Sequence, residues 1–320
     1  MTRDGTDARN KMARMTGLLL AAVLAVVLGA CQTGPTHSAM GDEPPMTMII
    51  EKPTPETTDD AVESVTLGLS VEGRPIRMHV FGDDGPAVLI FAGIHGNEPT
   101  SEYVALRLID HLLHHPEAYT DRRVAILPSA NPDGLLRGTR RNANGVDCNR
   151  NFPATNWAKR AANRSNYGGP WPASEPETGA IIEAVQRLDP VRIVSIHSAS
   201  SFPPCNNFDG PADALARAMS VHNGYPPRSE LDYATPGSFG TWAGVEAGIP
   251  TITLELPRKK PGPAAWEVNA GALVAFIAHG DAAGPGEHTT TDAVAASRPP
   301  SDDSDPRPGS DAAADDEAGR

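Results

Sequence analysis

Between residues 61 and 280, apolar positions change period in a way that separates short strands from helices. Val65–Ser70 and Arg77–Phe81 flank the turn-like Glu72-Gly73-Arg74-Pro75 and predict a hairpin. Ala87–Ala92 is a continuous apolar run closed by Gly93, as expected of a strand covered on both faces. In Ser101–Leu113 the apolar residues Val104, Ala105, Leu108, Ile109 and Leu112 fall at helical spacing. Val124–Leu127 reads as a buried strand, followed by Asn131-Pro132-Asp133-Gly134, a turn signal. Pro172–Leu188 predicts a helix with Ser174 as N-cap and Glu177 at capping-box spacing. The pattern continues with a strand at Val191–Ile196, helices at Asp213–His222 and Ser238–Ala247, a strand at Thr251–Leu256 and a closing helix at Ala264–Ala278. Alternating strands and helices predict one catalytic-sized α/β domain, with a mixed, mainly parallel sheet flanked by helices on both faces.

Outside that region the periodicity fails, and composition takes over. Arg3, Arg9, Lys11 and Arg14 precede an uncharged apolar run from Leu18 to Ala30, the layout of a secretory signal spanning residues 1–30. Leu28-Gly29-Ala30-Cys31 resembles the lipobox of bacterial lipoproteins. That resemblance implies export, lipidation of Cys31 and a membrane anchor; Gln32 in place of Asp implies the outer membrane and periplasm. Residues 31–60, rich in Pro, Thr and Met, read as a tether, and residues 281–320 as a disordered acidic tail. Ten acids against three arginines in that tail account for −7 of the net charge of −13, so the core is only mildly acidic. No basic footprint for nucleic acid is present. Cys148 and Cys205 remain after Cys31; their spacing is not that of a zinc finger, and it leaves their pairing open.

Candidate chemistry begins at Gly93-Ile94-His95-Gly96-Asn97-Glu98, directly after a buried strand. In open α/β sheets that is where ligands bind. The same His-x-x-Glu spacing recurs at His114 and Glu117, read as solvated residues at a helix end, so spacing alone decides nothing. A catalytic zinc site takes three protein ligands and leaves one position open. His197 ends the apolar strand Val191–Ile196, and no other histidine ends a predicted strand. His95, Glu98 and His197 are therefore the candidate ligands of one zinc ion.

Further motifs lie between and beyond these: residues 131–134, then Asn142-Ala143-Asn144-Gly145-Val146-Asp147-Cys148-Asn149-Arg150-Asn151-Phe152-Pro153, Ser174-Glu175-Pro176-Glu177-Thr178 and Tyr233-Ala234-Thr235-Pro236-Gly237-Ser238-Phe239-Gly240-Thr241-Trp242. In this order they resemble the zinc carboxypeptidases, and within them the murein peptide amidase branch, which cuts between γ-D-glutamate and diaminopimelate. The resemblance runs from roughly Gly68 to Pro257. It implies that Asn149 and Arg150 grip the free carboxylate of the released residue, a task suited to a guanidinium fork. It implies that Asp147 orients His95, and that Tyr233 closes over substrate. An arginine after residues 131–134 polarises the scissile carbonyl in this family. Arg137 and Arg140 both fit, with Gly138-Thr139-Arg140 matching the amidase branch better. Glu255, on the strand face shared with Thr251 and Thr253, matches the general base.

The expected reaction is hydrolysis of a peptide amide next to a free carboxylate, without a covalent intermediate, on a peptide or muropeptide. No Gly-x-Ser-x-Gly elbow supports a serine nucleophile. A general metallocarboxypeptidase acting on ordinary peptides, and a catalytically silent peptidoglycan-binding module, are the competing expectations. The resembled amidase works inside the cell on recycled peptides, so an export signal departs from its pattern.

Overall fold

The computed structural model describes residues 62–159, 166–199, 203–230, 234–258 and 260–280. The signal, Cys31, the tether, the acidic tail and Tyr233 lie outside them. Strands β1 (Val62–Leu69), β2 (Pro75–Phe81), β3 (Ala87–Ala92), β4 (Arg123–Leu127), β5 (Arg192–Ala199), β6 (Cys205–Asp209), β7 (Pro227–Arg228) and β8 (Thr251–Pro257) form one sheet in the order β1-β2-β4-β3-β5-β8-β6-β7. The four central strands β4-β3-β5-β8 run parallel. The hairpin β1-β2 joins one edge antiparallel, and β6 joins the other antiparallel to β8.

Period-2 alternation along β3 sends side chains into two cores. Val88, Ile90 and Ala92 pack beneath helices α1 (Pro99–His114), α4 (Asp213–Asn223) and α5 (Gly262–Ala278). Leu89 and Phe91 pack on the opposite side with α3 (Pro176–Leu188), Phe239 and Trp242. Both faces of β3 and β4 are therefore dry, which is why they read as apolar runs. β8 instead buries Ile252, Leu254 and Leu256 on one face and turns Thr253 and Glu255 to the other. The mixed sheet flanked by helices on both faces is the architecture expected from the sequence.

Three local expectations are corrected. Residues 131–134 open a short helix, α2 (Pro132–Arg137), instead of a turn. Asn131 caps it by accepting from the Gly134 N–H at 2.9 Å, Pro132 stands at its first position, and Gly138 ends it at φ +62°. The long helix expected from Pro172 starts only at Pro176, because Ser174 does not cap it; its hydroxyl donates to the Glu175 carboxylate at 2.7 Å. The helix expected at Ser238–Ala247 is a π-helix over Gly240–Glu246, with the wide turn that such segments bring near functional sites. Two strands, β6 and β7, had no counterpart in the sequence reading.

Candidate active site

His95 and Glu98 sit on the short loop between β3 and α1, at the carboxyl end of the sheet. The loop is held against α2. An added Cβ at Gly96 would lie 1.8 Å from the Gly134 carbonyl carbon, so only glycine allows this approach. The Asn131 amide closes the contact by donating to the Ile94 carbonyl at 3.2 Å. Glu98 is the N-cap residue of α1, yet its side chain makes no capping bond. It turns inward and accepts from the Ser198 N–H at 2.9 Å.

His197, near the end of β5, completes the group. His95 Nδ1 lies 3.0 Å from Glu98 Oε1, His197 Nδ1 lies 3.1 Å from Glu98 Oε2, and the two Nδ1 atoms are 3.2 Å apart. All three residues are buried. The second His-x-x-Glu is dispersed instead: His114 turns to the Asp110 carbonyl, while Glu117 pairs with His115.

Asp147 stands behind His95. Its Oδ1 accepts from His95 Nε2 at 2.9 Å, which turns the Nδ1 lone pair toward Glu98 and His197. Arg140 donates from Nε to Asp147 Oδ2 at 2.9 Å and brings Nη1 to 3.4 Å from His95 Nδ1. Burial raises the Asp147 pKa, but His95 and then Arg140 and Arg150 outweigh it and hold the carboxyl far below its usual range. Two converging imidazole nitrogens and a carboxylate form the donor set of a divalent cation, and among the described residues no other group of three meets that test.

The remaining candidates divide. Asn149 lies against His197 Nε2 at 3.5 Å and accepts from the Phe239 N–H at 2.9 Å. Arg150 lines the same cleft, with Nη1 on the Asn149 carbonyl at 2.5 Å. Glu255 is buried at the end of β8, directly opposite His197 in the parallel register. Arg140 is in the cleft. Arg137 is not among the cleft residues; it pairs with Glu72 beside the β1-β2 hairpin.

Other motif residues prove to be braces. Asp133 accepts from Ser70, Arg74 and the Glu72 N–H and so ties α2 to the hairpin. Asn142 donates to both Glu175 and Glu177, fixing the loop that carries Arg140 and Asp147 to the start of α3. Cys148 and Cys205 are both free and buried, and burial pushes the Cys205 thiol up to about 11, so neither is poised as a nucleophile.

The cleft, about 540 Å³, also takes in Asn207, Asp209, Thr253, Ser198 and Arg258, none of which the sequence reading singled out. β6 hid its contribution because its sequence, Cys-Asn-Asn-Phe-Asp, lacks an apolar run. Asn206 turns the other way, into a buried network with Asn223 and Ser220. A strand with polar partners on both faces carries no hydrophobic period.

Comparison with known proteins agrees with this geometry. A family model described as zinc carboxypeptidase matches residues 53–203. Murein peptide amidase A of Escherichia coli K12 is 36% identical over 183 residues, covering 53% of this chain and 70% of that protein. Its Vibrio campbellii counterpart is 33% identical over 218 residues, covering 64% and 84%. The crystal structure of murein-tripeptide amidase MpaA from Escherichia coli O157 superposes with a TM-score of 0.54 at 30% identity, over 68% of this chain and 93% of that one.

Proposed function

We propose that this chain, which belongs to the zinc carboxypeptidase family and is a hydrolase of its carboxypeptidase and amidase type, cleaves the amide bond preceding a free carboxylate in cell-wall peptides. The observation that carries the reading is the convergence of His95, Glu98 and His197 in one cleft with Glu255 on the adjacent strand.

His95, Glu98 and His197 would hold one zinc ion, which when bound supplies a Lewis acid that acidifies water and draws charge from a carbonyl oxygen. Glu255 takes the proton of the attacking water and returns it to the leaving amine. Arg140 stabilises the charge that gathers on the carbonyl oxygen. Asn149 and Arg150 receive the free carboxylate and thereby set which bond lies over Glu255. Asp147 keeps His95 in the productive tautomer, and Tyr233 covers the bound peptide.

Incubation with L-alanyl-γ-D-glutamyl-diaminopimelate and with a hippuryl-type peptide separates the readings. Release of diaminopimelate at the greater rate supports the amidase assignment. Cleavage of the hippuryl peptide alone replaces it with a general metallocarboxypeptidase.

The same reading includes an exported chain anchored through Cys31 to the outer membrane, facing periplasmic peptide. The lipobox-like Leu28–Cys31 supports it. Mass spectrometry of the mature N-terminus is expected to find acylated Cys31, and Cys31→Ser to release the chain from membranes. An unacylated N-terminus in cells that process other lipoproteins would remove the anchor.

A further inference from the structure

Two motifs that stand outside the hydrolytic roles end on the same turn. Asn131-Pro132-Asp133-Gly134 supplies Asp133, and Ser174-Glu175-Pro176-Glu177-Thr178 supplies Glu177; both acids are fully buried. The turn, residues 70–74, joins β1 to β2. It is closed by the Ser70 N–H on the Arg74 carbonyl at 2.8 Å and the Gly73 N–H on the Ser70 carbonyl at 2.9 Å. Asp133 accepts from the Ser70 hydroxyl and Arg74 Nη1 on one oxygen and from the Glu72 N–H on the other. Glu177 accepts from the Val71 N–H on Oε1 and from the Asn142 amide on Oε2. Two carboxylates thus hold Ser70, Val71, Glu72 and Arg74, although none of residues 70–74 lines the cleft.

Each acid also sits on an element that carries one half of the candidate site. Asp133 lies in the first turn of α2, whose Gly134 backs onto Gly96 and whose Asn131 cap donates to the Ile94 carbonyl. That arm fixes the loop of His95 and Glu98. Glu177 lies in the first turn of α3 and grips Asn142, which folds back on Val146 through two bonds of 2.9 and 3.0 Å. That arm fixes the loop of Arg140 and Asp147. The arms meet again where Asp147 accepts from His95 Nε2. The contacts therefore close into a ring that runs from the turn through Asp133, α2, His95, Asp147, Asn142 and Glu177 back to the turn. In a close-packed interior no void absorbs a shift at one member, so the others feel it. Each acid uses both oxygens, and an amide isostere, with one acceptor oxygen, must release one of its two sides.

We infer that the turn at residues 70–74 is the clamp that sets His95 against Asp147, with Asp133 and Glu177 as positioning residues acting from opposite sides of it. Its consequence for metal affinity rests on the reading that His95 is a ligand and Asp147 orients it. Losing either carboxylate opens the ring at one point, and the freed motion reaches both loops instead of the nearer one alone. Gly73 gives an independent entry. It stands at φ +79°, and an added Cβ would meet no atom within 4 Å. Gly73→Ala therefore strains the backbone of the turn without touching either arm.

Hydrogen–deuterium exchange on the metal-free full chain tests the clamp without metal or turnover. Asp133→Asn is expected to speed exchange on the order of tenfold in residues 138–147 as well as in 93–98. Glu177→Gln is expected to do the same in 93–98 as well as in 138–147. A local brace would not produce that crossing. The zinc Kd, read by chelator competition, is expected to weaken in both variants. Effects confined to the nearer loop, or a rise shared equally by β3, which reports global opening, overturn the clamp. If either variant fails to fold, Gly73→Ala decides: faster exchange in both loops supports the clamp, and unchanged exchange in either overturns it. A chain that shows the crossing yet cuts neither peptide keeps the clamp and loses the proposed reaction; an active chain without the crossing loses only the clamp.

Discussion

Glu255→Gln is expected to lower kcat by about 10²–10⁴-fold while the protein keeps its full complement of zinc. That range corresponds to about 3–5 kcal/mol of transition-state stabilisation. The substitution preserves volume and hydrogen-bonding reach but removes the basic oxygen, so packing and chemistry are separated. Packing is the competing explanation for this residue, since Glu255 is 5% exposed and ends a strand otherwise committed to the core. A packing role would leave the glutamine variant near wild-type rate. The proton-transfer role predicts loss of rate with Kd for product little changed, because the substitution leaves Asn149 and Arg150, the proposed grip on the carboxylate, in place. Zinc retention is expected because His95, Glu98 and His197 form the group that could hold a metal ion, and Glu255 is not part of it. Rapid-mixing assays on the tripeptide with zinc analysis of the same preparation make the measurement. Undiminished turnover would take the general-base role away from Glu255.

The legibility of this fold followed burial. β3 and β5 pack apolar residues into both cores and β8 buries Ile252, Leu254 and Leu256 on one face, so their apolar patterns were visible, and with them the strand ends near His95, His197 and Glu255. α1 was equally plain, because Val104, Leu108 and Leu112 lie on one stripe against the sheet. Where polar contacts carry the structure, the signal disappeared. β6 keeps Asn206 in a buried amide network and turns Asn207 and Asp209 to the cleft, so no hydrophobic period marks it. Pro132 looked like a turn residue, although proline is also well suited to the first position of a helix, and only the Asn131 cap decides between the two. The choice between Arg137 and Arg140 depended on a loop path fixed by Asn142 binding Glu175 and Glu177, contacts more than thirty residues apart in sequence. Motif order located the candidate site, but it could not distinguish a residue facing the cleft from one bracing the loop behind it.

Removing His197 is expected to strip the metal rather than slow the chemistry. With His197→Ala, zinc should fall from about one per chain to near zero after dialysis, since two protein ligands replace the three that such sites need. Asp147→Asn should behave differently, weakening affinity by about 10–100-fold while leaving a saturable site. Asparagine still offers an oxygen to His95 Nε2, but without the charge that Arg140 also grips. The pH dependence gives a further check. In the metal-free chain, burial and then Arg140 disfavour a proton on His95, yet Glu98 and Asp147 together prevail and hold its pKa above the ordinary imidazole value. A raised pKa means that the protonated form dominates below it, so zinc must displace a proton more strongly held than usual. Affinity is therefore lost as pH falls through that raised value and is regained above it. Glu98 works in the opposite sense: burial would raise its pKa, but His95 and His197 hold it well below the usual range, so the carboxylate stays ready as a ligand through mild acid. Acid release of zinc should accordingly track one imidazole proton, not a carboxylate. Competition against a chromophoric chelator from about pH 5 to about pH 8 reads the midpoint and the proton count. Full zinc occupancy in His197→Ala would remove that histidine from the ligand set. A release midpoint far below the imidazole range would assign the controlling proton to Glu98 instead.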